Sequence, residues 1–246
     1  MIDDNGQACL TEWMQAIDGD LWRVQGPDAR LPGGARLPVY ATVARLADRT
    51  LAIYNPCKLD DAAAAAIERE GEVAHVIAPN LLHHLYAGQA MARWPRATLH
   101  APPGLAAKRA DLPRARSLTD PEPAWRDALE ALRLAGVPKI DETIVFHRAS
   151  GTLVCADFLF HVTAPANLRT RLLLRLTGTG GGELRQSRMW KLLVKDKVAL
   201  GAAFAQALEW PIRQVAPVHG PHVVIDSASL APRLRISPLR KLLGSQ

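Results

Sequence analysis

The order of strand-like and helix-like segments constrains the fold of this chain more than any single motif does. Short segments rich in β-branched and aromatic residues, bounded by Gly, Pro or Asp, predict strands at 21–26, 38–47 and 50–56. Strand and helix patterns then alternate over 60–113, and further strands are predicted within 142–162 and 213–225. This order predicts an α/β (α+β) architecture of two sheets covered by helices, rather than a doubly wound parallel sheet.

Capping residues mark some helices clearly and leave others ambiguous. A helix is predicted within 60–71, with Asp60 or Asp61 as N-cap and Gly71 at its end. A second is predicted over 196–210, capped by Asp196. The segment 127–136 also predicts a short helix, whereas 163–195 gives no clear pattern.

Composition describes an ordinary globular protein. The 246 residues are 48% hydrophobic and 22% charged, which is enough apolar material for a core without disulfides. Three widely spaced cysteines, Cys9, Cys57 and Cys155, form no disulfide pattern and no thiolate zinc motif. We therefore expect a cytoplasmic chain forming one domain over 1–246, with its core over about 20–225 and a basic tail over 228–246.

The net charge of +6 permits, but does not specify, an anionic partner. The arginines look scattered along the chain, and no aromatic RNA-binding platform is visible, so nucleic-acid binding is not expected. No apolar run is long enough to span a bilayer, so no membrane partner is expected either. A small-molecule substrate or ligand is the expected partner, and the oligomeric state is not indicated.

Polar side chains at strand ends are the candidates for chemistry, because loops and strand ends usually carry functional groups. Adjacent imidazoles follow a predicted strand at His83 and His84, and Asp157 interrupts an apolar strand. His219 precedes Gly220, which permits a tight turn. Each signal has a plain structural alternative: helix-start residues, a backbone-capping carboxylate and a hairpin histidine. For His147, at a predicted turn, a structural role is the better interpretation.

The order of these candidates carries a resemblance. A strand followed by His-His and a helix, a paired strand reaching an Asp, and a strand ending in His-Gly together resemble the metallo-β-lactamase superfamily over about residues 20–225. The phrases APNLLHHLYAGQAMARWPRATLHAPPGL, ETIVFHRASGTLVCADFLF and APVHG are most similar to the DUF4336 branch. The resemblance implies an αββα sandwich with a metal site at one rim of the stacked sheets.

The family's HxHxDH motif is only partly present. With its last His on His84, the two earlier His positions fall on Pro79 and Leu81, and the Asp falls on His83. The family's next His, in a GHT-like turn, has no counterpart near 141–142. The resemblance places the bridging Asp on Asp157 and the final His on His219.

What survives is one subsite, for which the resemblance implies the ligands His83, His84, Asp157 and His219. Such a nitrogen-rich set with one carboxylate suits a single divalent metal, Zn or Fe. Two interpretations stay open. In one, the protein is a mononuclear metal-dependent hydrolase that acts on an ester, thioester or phosphoester. Its catalytic residues are then His84, Asp157 and His219, and Glu142 or His147 is a candidate proton carrier. In the other, the chain is a non-catalytic ligand-binding or structural member of the fold without metal.

Overall fold

The computed structural model describes residues 9–11, 14–120 and 123–234. Its first sheet has seven strands in chain order: β1 (Cys9–Thr11), β2 (Met14–Asp18), β3 (Leu21–Arg30), β4 (Arg36–Arg45), β5 (Leu51–Tyr54), β6 (Val73–Ile77) and β7 (Thr98–His100). The strands β1 to β5 pair antiparallel, and β5, β6 and β7 pair parallel. Within this sheet, α-helices connect the parallel strands, as parallel connections require, and a short 3-10 helix (Pro32–Gly34) lies between β3 and β4.

The second sheet has five strands in the order β12-β11-β10-β9-β8. Its members are β8 (Leu129–Arg133), β9 (Thr143–His147), β10 (Thr152–Phe160), β11 (Gln214–His219) and β12 (Val223–Val224). Only β10 and β11 run parallel, and the helical segment between them makes that crossover.

Eight α-helices lie within the described ranges: α1 (Asp61–Glu70), α2 (Ala87–Arg93), α3 (Leu105–Lys108), α4 (Pro123–Ala128), α5 (Leu168–Thr177), α6 (Arg188–Leu192), α7 (Lys197–Leu208) and α8 (Ser227–Leu230). The predicted caps are observed, since Asp60 accepts from the Ala63 amide and Asp196 from the Val198 and Ala199 amides. These bonds satisfy amides that have no partner inside the helix.

Alternating side chains divide the core into three layers. On β10, Leu153 and Cys155 pack under α6 and α7, whereas Val154 and Ala156 point to the other sheet. On β5, Ile53 packs with α1 and α2, and its neighbours face inward. The period of two in strands thus gives each sheet one face for helices and one for the partner sheet. This is the predicted αββα sandwich.

Two segments differ from the sequence-based predictions. Residues 129–133, predicted as helix, form β8, because pairing along β9 and burial of Leu129 outweigh the helix propensity of this segment. The segment 163–195, which gave no clear pattern, contains α5, with Asn167 as N-cap and the left-handed Gly178 at its end. Of the predicted basic tail, residues 235–246 lie outside the described part of the chain.

None of the helices in the described ranges has both the length and the apolar character needed to cross a bilayer.

Candidate metal centre

Three side chains from distant parts of the sequence meet where the two sheets adjoin. His83 follows β6 in the first sheet, whereas Asp157 and His219 belong to β10 and β11 of the second. The His83 Nε2 atom lies 3.2 Å from His219 Nε2 and 3.3 Å from Asp157 Oδ2. The His219 Nε2 atom lies 3.7 Å from Asp157 Oδ1. Among the described residues, this trio is the group of His, Cys, Asp and Glu whose ligand atoms are close enough to share an ion.

A buried asparagine builds the turn that presents His83. The Asn80 Oδ1 atom accepts from the backbone amides of Leu82 and His83 at 2.9 and 2.7 Å, which forms an Asx turn directly after β6. Its Nδ2 atom donates to Asp157 Oδ2 at 2.8 Å. Asn80 therefore fixes the positions of two members of the trio at once.

Asp157 lies in an irregular stretch of β10. The parallel register of β10 with β11 shifts between Cys155 and Phe160. In this stretch the Glu142 carboxylate accepts hydrogen bonds from backbone amides of β10. It accepts from the amides of Ala156, Asp157 and Phe158 at 2.8, 3.1 and 3.3 Å. Glu142 is fully buried, so it acts through the backbone to hold Asp157 in place.

His219 ends β11 at a turn that only glycine fits. Gly220 has φ +132°, and a Cβ atom there would lie 1.8 Å from the carbonyl oxygen of His161. The His161 amide in turn donates to the His219 carbonyl at 2.9 Å. The turn thus lets the chain double back tightly while the imidazole stays at the sheet edge.

The outer ring nitrogens of both histidines face acceptors. The Nδ1 atom of His219 lies 2.9 Å from the carbonyl oxygen of Pro38, and that of His83 lies 2.9 Å from Asn55 Oδ1. The Asn55 amide is oriented by Nδ2 donating to the Tyr40 carbonyl at 2.9 Å, so its oxygen faces His83. Both Nδ1 atoms must therefore carry hydrogen, which leaves both Nε2 atoms as lone-pair donors in the neutral rings.

The inner side of the trio is consequently made of acceptors. Two Nε2 lone pairs and a carboxylate cannot hydrogen-bond to one another without a positive charge among them. A proton or a metal ion among the three groups would meet this need. Burial alone would lower the pKa of His83, but the charge of Asp157 and a hydrogen bond to it raise that pKa above its usual value. Burial would likewise raise the pKa of Asp157, but the two histidines hold it well below its usual range.

A divalent metal fits the same geometry. Zinc–nitrogen and zinc–oxygen bonds of about 2.0–2.2 Å at tetrahedral angles imply ligand atoms separated by roughly 3.3–3.5 Å. The Nε2–Nε2 separation of 3.2 Å and the separation of 3.3 Å between His83 Nε2 and Asp157 Oδ2 lie close to this range. The distance of 3.7 Å from His219 Nε2 runs to the other carboxylate oxygen, Oδ1. Three protein ligands with ordered outer partners are the pattern of a site that keeps one coordination position open.

A buried arginine supports the His219 turn from the opposite sheet. Arg23 on β3 donates to the carbonyls of Pro217 and Gly220 at 2.6 and 2.9 Å and to Thr42 Oγ1 at 3.0 Å. Its burial lowers the pKa of the guanidinium to about 10, partly opposed by the nearby Tyr40. Arg23 therefore joins the two sheets just beside the third member of the trio.

The structure does not bring all predicted site residues together. The His84 side chain turns to Arg109, whose Nη1 atom lies 3.2 Å from His84 Nδ1 and donates to its carbonyl at 3.1 Å. Burial, then Lys108 and Arg109, lower the pKa of His84. Adjacent residues on a turn point in different directions, so His83 joins the trio and His84 does not.

The two suggested proton carriers also have other roles. His147 lies at the end of β9 away from Glu142, with Nδ1 2.7 Å from Ser150 Oγ, and burial lowers its pKa. The observed side-chain contact of His147 is therefore with Ser150, and the proton-carrier role stays an untested prediction. Burial and the neighbouring Asp157 raise the pKa of Glu142 to about 7, but both its oxygens are occupied by backbone amides.

Three residues of the site were missed by sequence reasoning. Asn55 and Asn80 each carried a usable signal, because Asn55 precedes a proline and Asn80 follows one at a strand end, and such asparagines typically bind neighbouring backbone or side chains. Arg23 carried none, since a charged residue in an alternating strand normally faces solvent.

Solved structures with the same architecture superpose on nearly the whole chain. A metallo-β-lactamase from Pontibacter korlensis aligns with a TM-score of 0.61 and 15% identity, over 95% of this chain and 99% of that chain. The metallo-β-lactamase FIM-1 from Pseudomonas aeruginosa, in its mono-zinc form, aligns with a TM-score of 0.56 and 15% identity, over 93% and 95%. A metal-soaked Flv1 flavodiiron core from Synechocystis sp. PCC6803 gives 0.63 and 13% identity, over 95% of this chain and 61% of that one.

The chain therefore has the metallo-β-lactamase fold. Residues 33–172, more than half of the chain, match the family described as "Domain of unknown function (DUF4336)", and the protein belongs to that family. No curated protein matches the sequence at a significant level.

Proposed function

We propose that the protein is a mononuclear metal-dependent hydrolase acting on an ester, thioester or phosphoester. One divalent ion, Zn or Fe, would be held by His83, Asp157 and His219. The observation that carries the proposal is the convergence of two Nε2 lone pairs and a carboxylate within 3.2–3.7 Å, with both Nδ1 atoms bound to oxygen acceptors. The existence of a mono-zinc form of FIM-1, a structure of the same fold, supports occupancy by a single ion.

Each residue has a defined part in this proposal. When bound, the metal supplies a Lewis acid that polarises a carbonyl or phosphoryl oxygen and makes water a better nucleophile at neutral pH. His83 and His219 offer neutral nitrogen ligands, and Asp157 supplies the negative charge. Asn80 and Glu142 are positioning residues, because they hold the side chain and backbone of Asp157.

The surroundings of the trio favour a substrate with an apolar part. Leu82 and Leu85 flank the two histidines and are 49% and 72% exposed. Exposed leucines beside a polar cluster are typical of a ligand-binding mouth. The cytoplasmic location stays a prediction, in accord with the free, buried thiols of Cys57 and Cys155.

A metal measurement tests the proposal directly. Protein purified without a histidine tag should contain about one equivalent of Zn or Fe per chain, and His83→Ala, Asp157→Ala and His219→Ala should each lose it. His84→Ala is the matched control, because its ring contacts Arg109 instead of the trio, and it should retain the metal. Hydrolysis of p-nitrophenyl esters, an acyl thioester and a phosphodiester should follow the metal content.

One observation favours the second candidate, a non-catalytic member of the fold. Pro79 and Leu81 stand where the family carries two ligand histidines, and neither side chain offers a ligand atom. Metal-free protein whose melting temperature is unchanged by a chelator, or by added Zn, would support this candidate against the hydrolase, since an ion bound only to the folded state must stabilise it.

A further inference from the structure

The net positive charge of the chain coincides with one segment, although basic residues occur along the whole sequence. Residues 158–195 contain seven Lys and Arg residues and one acidic residue, Glu183, a net charge of +6 that equals the formal net charge of the whole chain. The rest of the sequence is therefore formally neutral. This segment runs from the last residues of β10 into the crossover that leads to β11, and it carries α5 and α6.

Exposed apolar side chains occupy the same segment. Leu168, Leu172 and Leu176 are four residues apart on α5, so they lie on one face, and they are 76%, 57% and 67% exposed. The residues Thr170 and Leu174 on another face of α5 are buried. A helix whose apolar side chains line both its inner and its outer faces has more apolar surface than its own domain covers.

The short helix α6 continues this pattern. Its Met189 and Leu192 are 61% and 80% exposed. The two helices are close together. Gly178 ends α5 and Arg188 begins α6, and a Cβ atom on Gly178 would lie 2.9 Å from Arg188 Nε. We call α5, α6 and their connection the cationic leucine surface.

The arginines of this surface are not neutralised locally. Arg169, Arg171, Arg175 and Arg188 are exposed. Arg169 donates to the Gly33 carbonyl at 3.2 Å, and none of the four forms an ion pair with a carboxylate of the described residues. Their charges are therefore available to an external anionic surface.

We propose that the cationic leucine surface docks onto an anionic lipid bilayer. Leucine and methionine side chains would enter the interface between headgroups and acyl chains, and the arginines beside them would contact the headgroup phosphates. The helices would lie in the plane of the membrane without crossing it. Charge complementarity together with exposed leucines selects this partner.

Other occupants explain only part of the surface. A second copy of the chain, docked through the same face, would place two net charges of +6 against each other. Nucleic acid would use the arginines but give no reason for exposed leucines, because phosphate contacts dominate such binding. An acidic protein would require acidic groups around an apolar centre.

The docking helix is also anchored to the strand that serves the metal centre. Thr170 Oγ1 accepts from the Arg36 amide at 2.8 Å and donates to the Arg36 carbonyl at 3.1 Å, while Asn167 donates to the Gly34 carbonyl at 3.1 Å. Arg36 begins β4, and two residues later the Pro38 carbonyl accepts from His219. A bilayer bound at α5 would therefore contact a helix that is hydrogen-bonded to β4, the strand whose Pro38 carbonyl orients His219.

Vesicle sedimentation with the full chain tests the proposal. The protein should pellet with vesicles of phosphatidylcholine and phosphatidylglycerol, remain in solution with phosphatidylcholine alone, and be released by added salt. Leu172→Gln should weaken binding about tenfold, and Arg171→Ala about fivefold. Both positions are exposed, and melting temperatures verify that the variants are folded.

Matched control variants distinguish binding through this surface from nonspecific binding to vesicles. Val224→Gln changes an apolar side chain that is 80% exposed on β12, and Arg114→Ala removes an exposed cation from another part of the chain. Neither should alter vesicle binding. Equal affinity for both vesicle types, or no binding to either, would overturn the proposal. So would tighter binding to duplex DNA or to polyglutamate that Leu172→Gln leaves unchanged.

Discussion

At the scale of single residues, the metal centre depends on groups that would never touch the metal. Asn55 and the Pro38 carbonyl hold the hydrogens on the outer nitrogens of His83 and His219, and Asn80 holds Asp157. Because a histidine binds metal only through a nitrogen without hydrogen, these partners contribute to the metal affinity of the site in addition to the ligands themselves.

Removing the acceptor beside His83 should therefore weaken metal binding. Asn55 has φ +56°, so Asn55→Gly deletes the amide while keeping a backbone that adopts this angle freely. We expect a loss of about 10–100-fold in Zn²⁺ affinity, measured by competition with a chromophoric chelator. Asn55→Asp retains an oxygen acceptor and should remain closer to the parent; equal losses in the two variants would contradict this role.

Arg23 is expected to matter for stability more than its position in a strand indicates. Arg23→Met fills similar space but leaves the carbonyls of Pro217 and Gly220 without this donor. Buried acceptors left unpaired cost about 1–3 kcal/mol each, so the free energy of unfolding should fall by about 2–6 kcal/mol in urea titrations. A change within about 0.5 kcal/mol would show that the guanidinium contributes no net stability.

Residue identities were predictable where the chemistry is carried by the side-chain type itself. His83 and His219 stood at predicted strand ends and Asp157 within an apolar strand, and the three meet in the structure. The prediction included both His83 and His84 as ligands and preferred His84 as the catalytic residue, whereas His83 lies in the trio. The direction of each ring depends on the Asx turn built by Asn80, which the pattern of strands and helices does not predict.

At the scale of elements, the turn after β11 has the strictest backbone requirement in the site. Gly220→Ala would force a side chain against the His161 carbonyl at φ +132°. We expect a loss of about 2–4 kcal/mol in the free energy of unfolding, together with reduced metal content, because the backbone must shift at His219.

A second glycine provides the comparison for that prediction. Gly19, in the turn between β2 and β3, has no atom within 4 Å of a Cβ position, so Gly19→Ala should change stability by less than about 1 kcal/mol. Urea titrations and metal analysis on both variants would decide. Retention of full metal content by Gly220→Ala would mean that His219 tolerates a displaced turn.

Elements were predictable where local and tertiary preferences agree. The helices α1 and α7 had caps, propensity and a stop signal in the sequence, and they appear where expected. The strand β8 was not predicted, because the segment LEALR favours a helix by itself and becomes a strand only through pairing with β9. Helix α5 was hidden for the opposite reason: its leucines surround the helix and obscure the periodicity.

At the scale of the whole molecule, a buried histidine pair makes stability depend on pH. His75 on β6 and His100 on β7 share one contact, with Nδ1 and Nε2 3.0 Å apart, beside the ring of Trp125. Burial, and then the charge of His75, lower the pKa of His100 from 6.5 to about 4. The unfolded chain therefore takes up this proton at a higher pH than the folded protein does.

The stability contributed by neutral His100 is complete above pH 6.5 and declines as the pH falls toward about 4. Between about pH 7 and pH 5 this linkage amounts to about 2 kcal/mol in the free energy of unfolding. His100→Phe should remove that part of the slope in urea titrations at the two pH values. Identical slopes for variant and parent would exclude His100 as its source.

The metal trio draws its members from both sheets: His83 follows β6, and Asp157 and His219 lie on β10 and β11. An ion bound there would hold the amino-terminal and carboxyl-terminal halves of the polypeptide together, since neither half alone offers all three ligands. Binding or loss of the ion would therefore change the stability of the whole interface between the two sheets. Amide hydrogens far from the ion, on strands facing that seam, should exchange more slowly in the loaded protein.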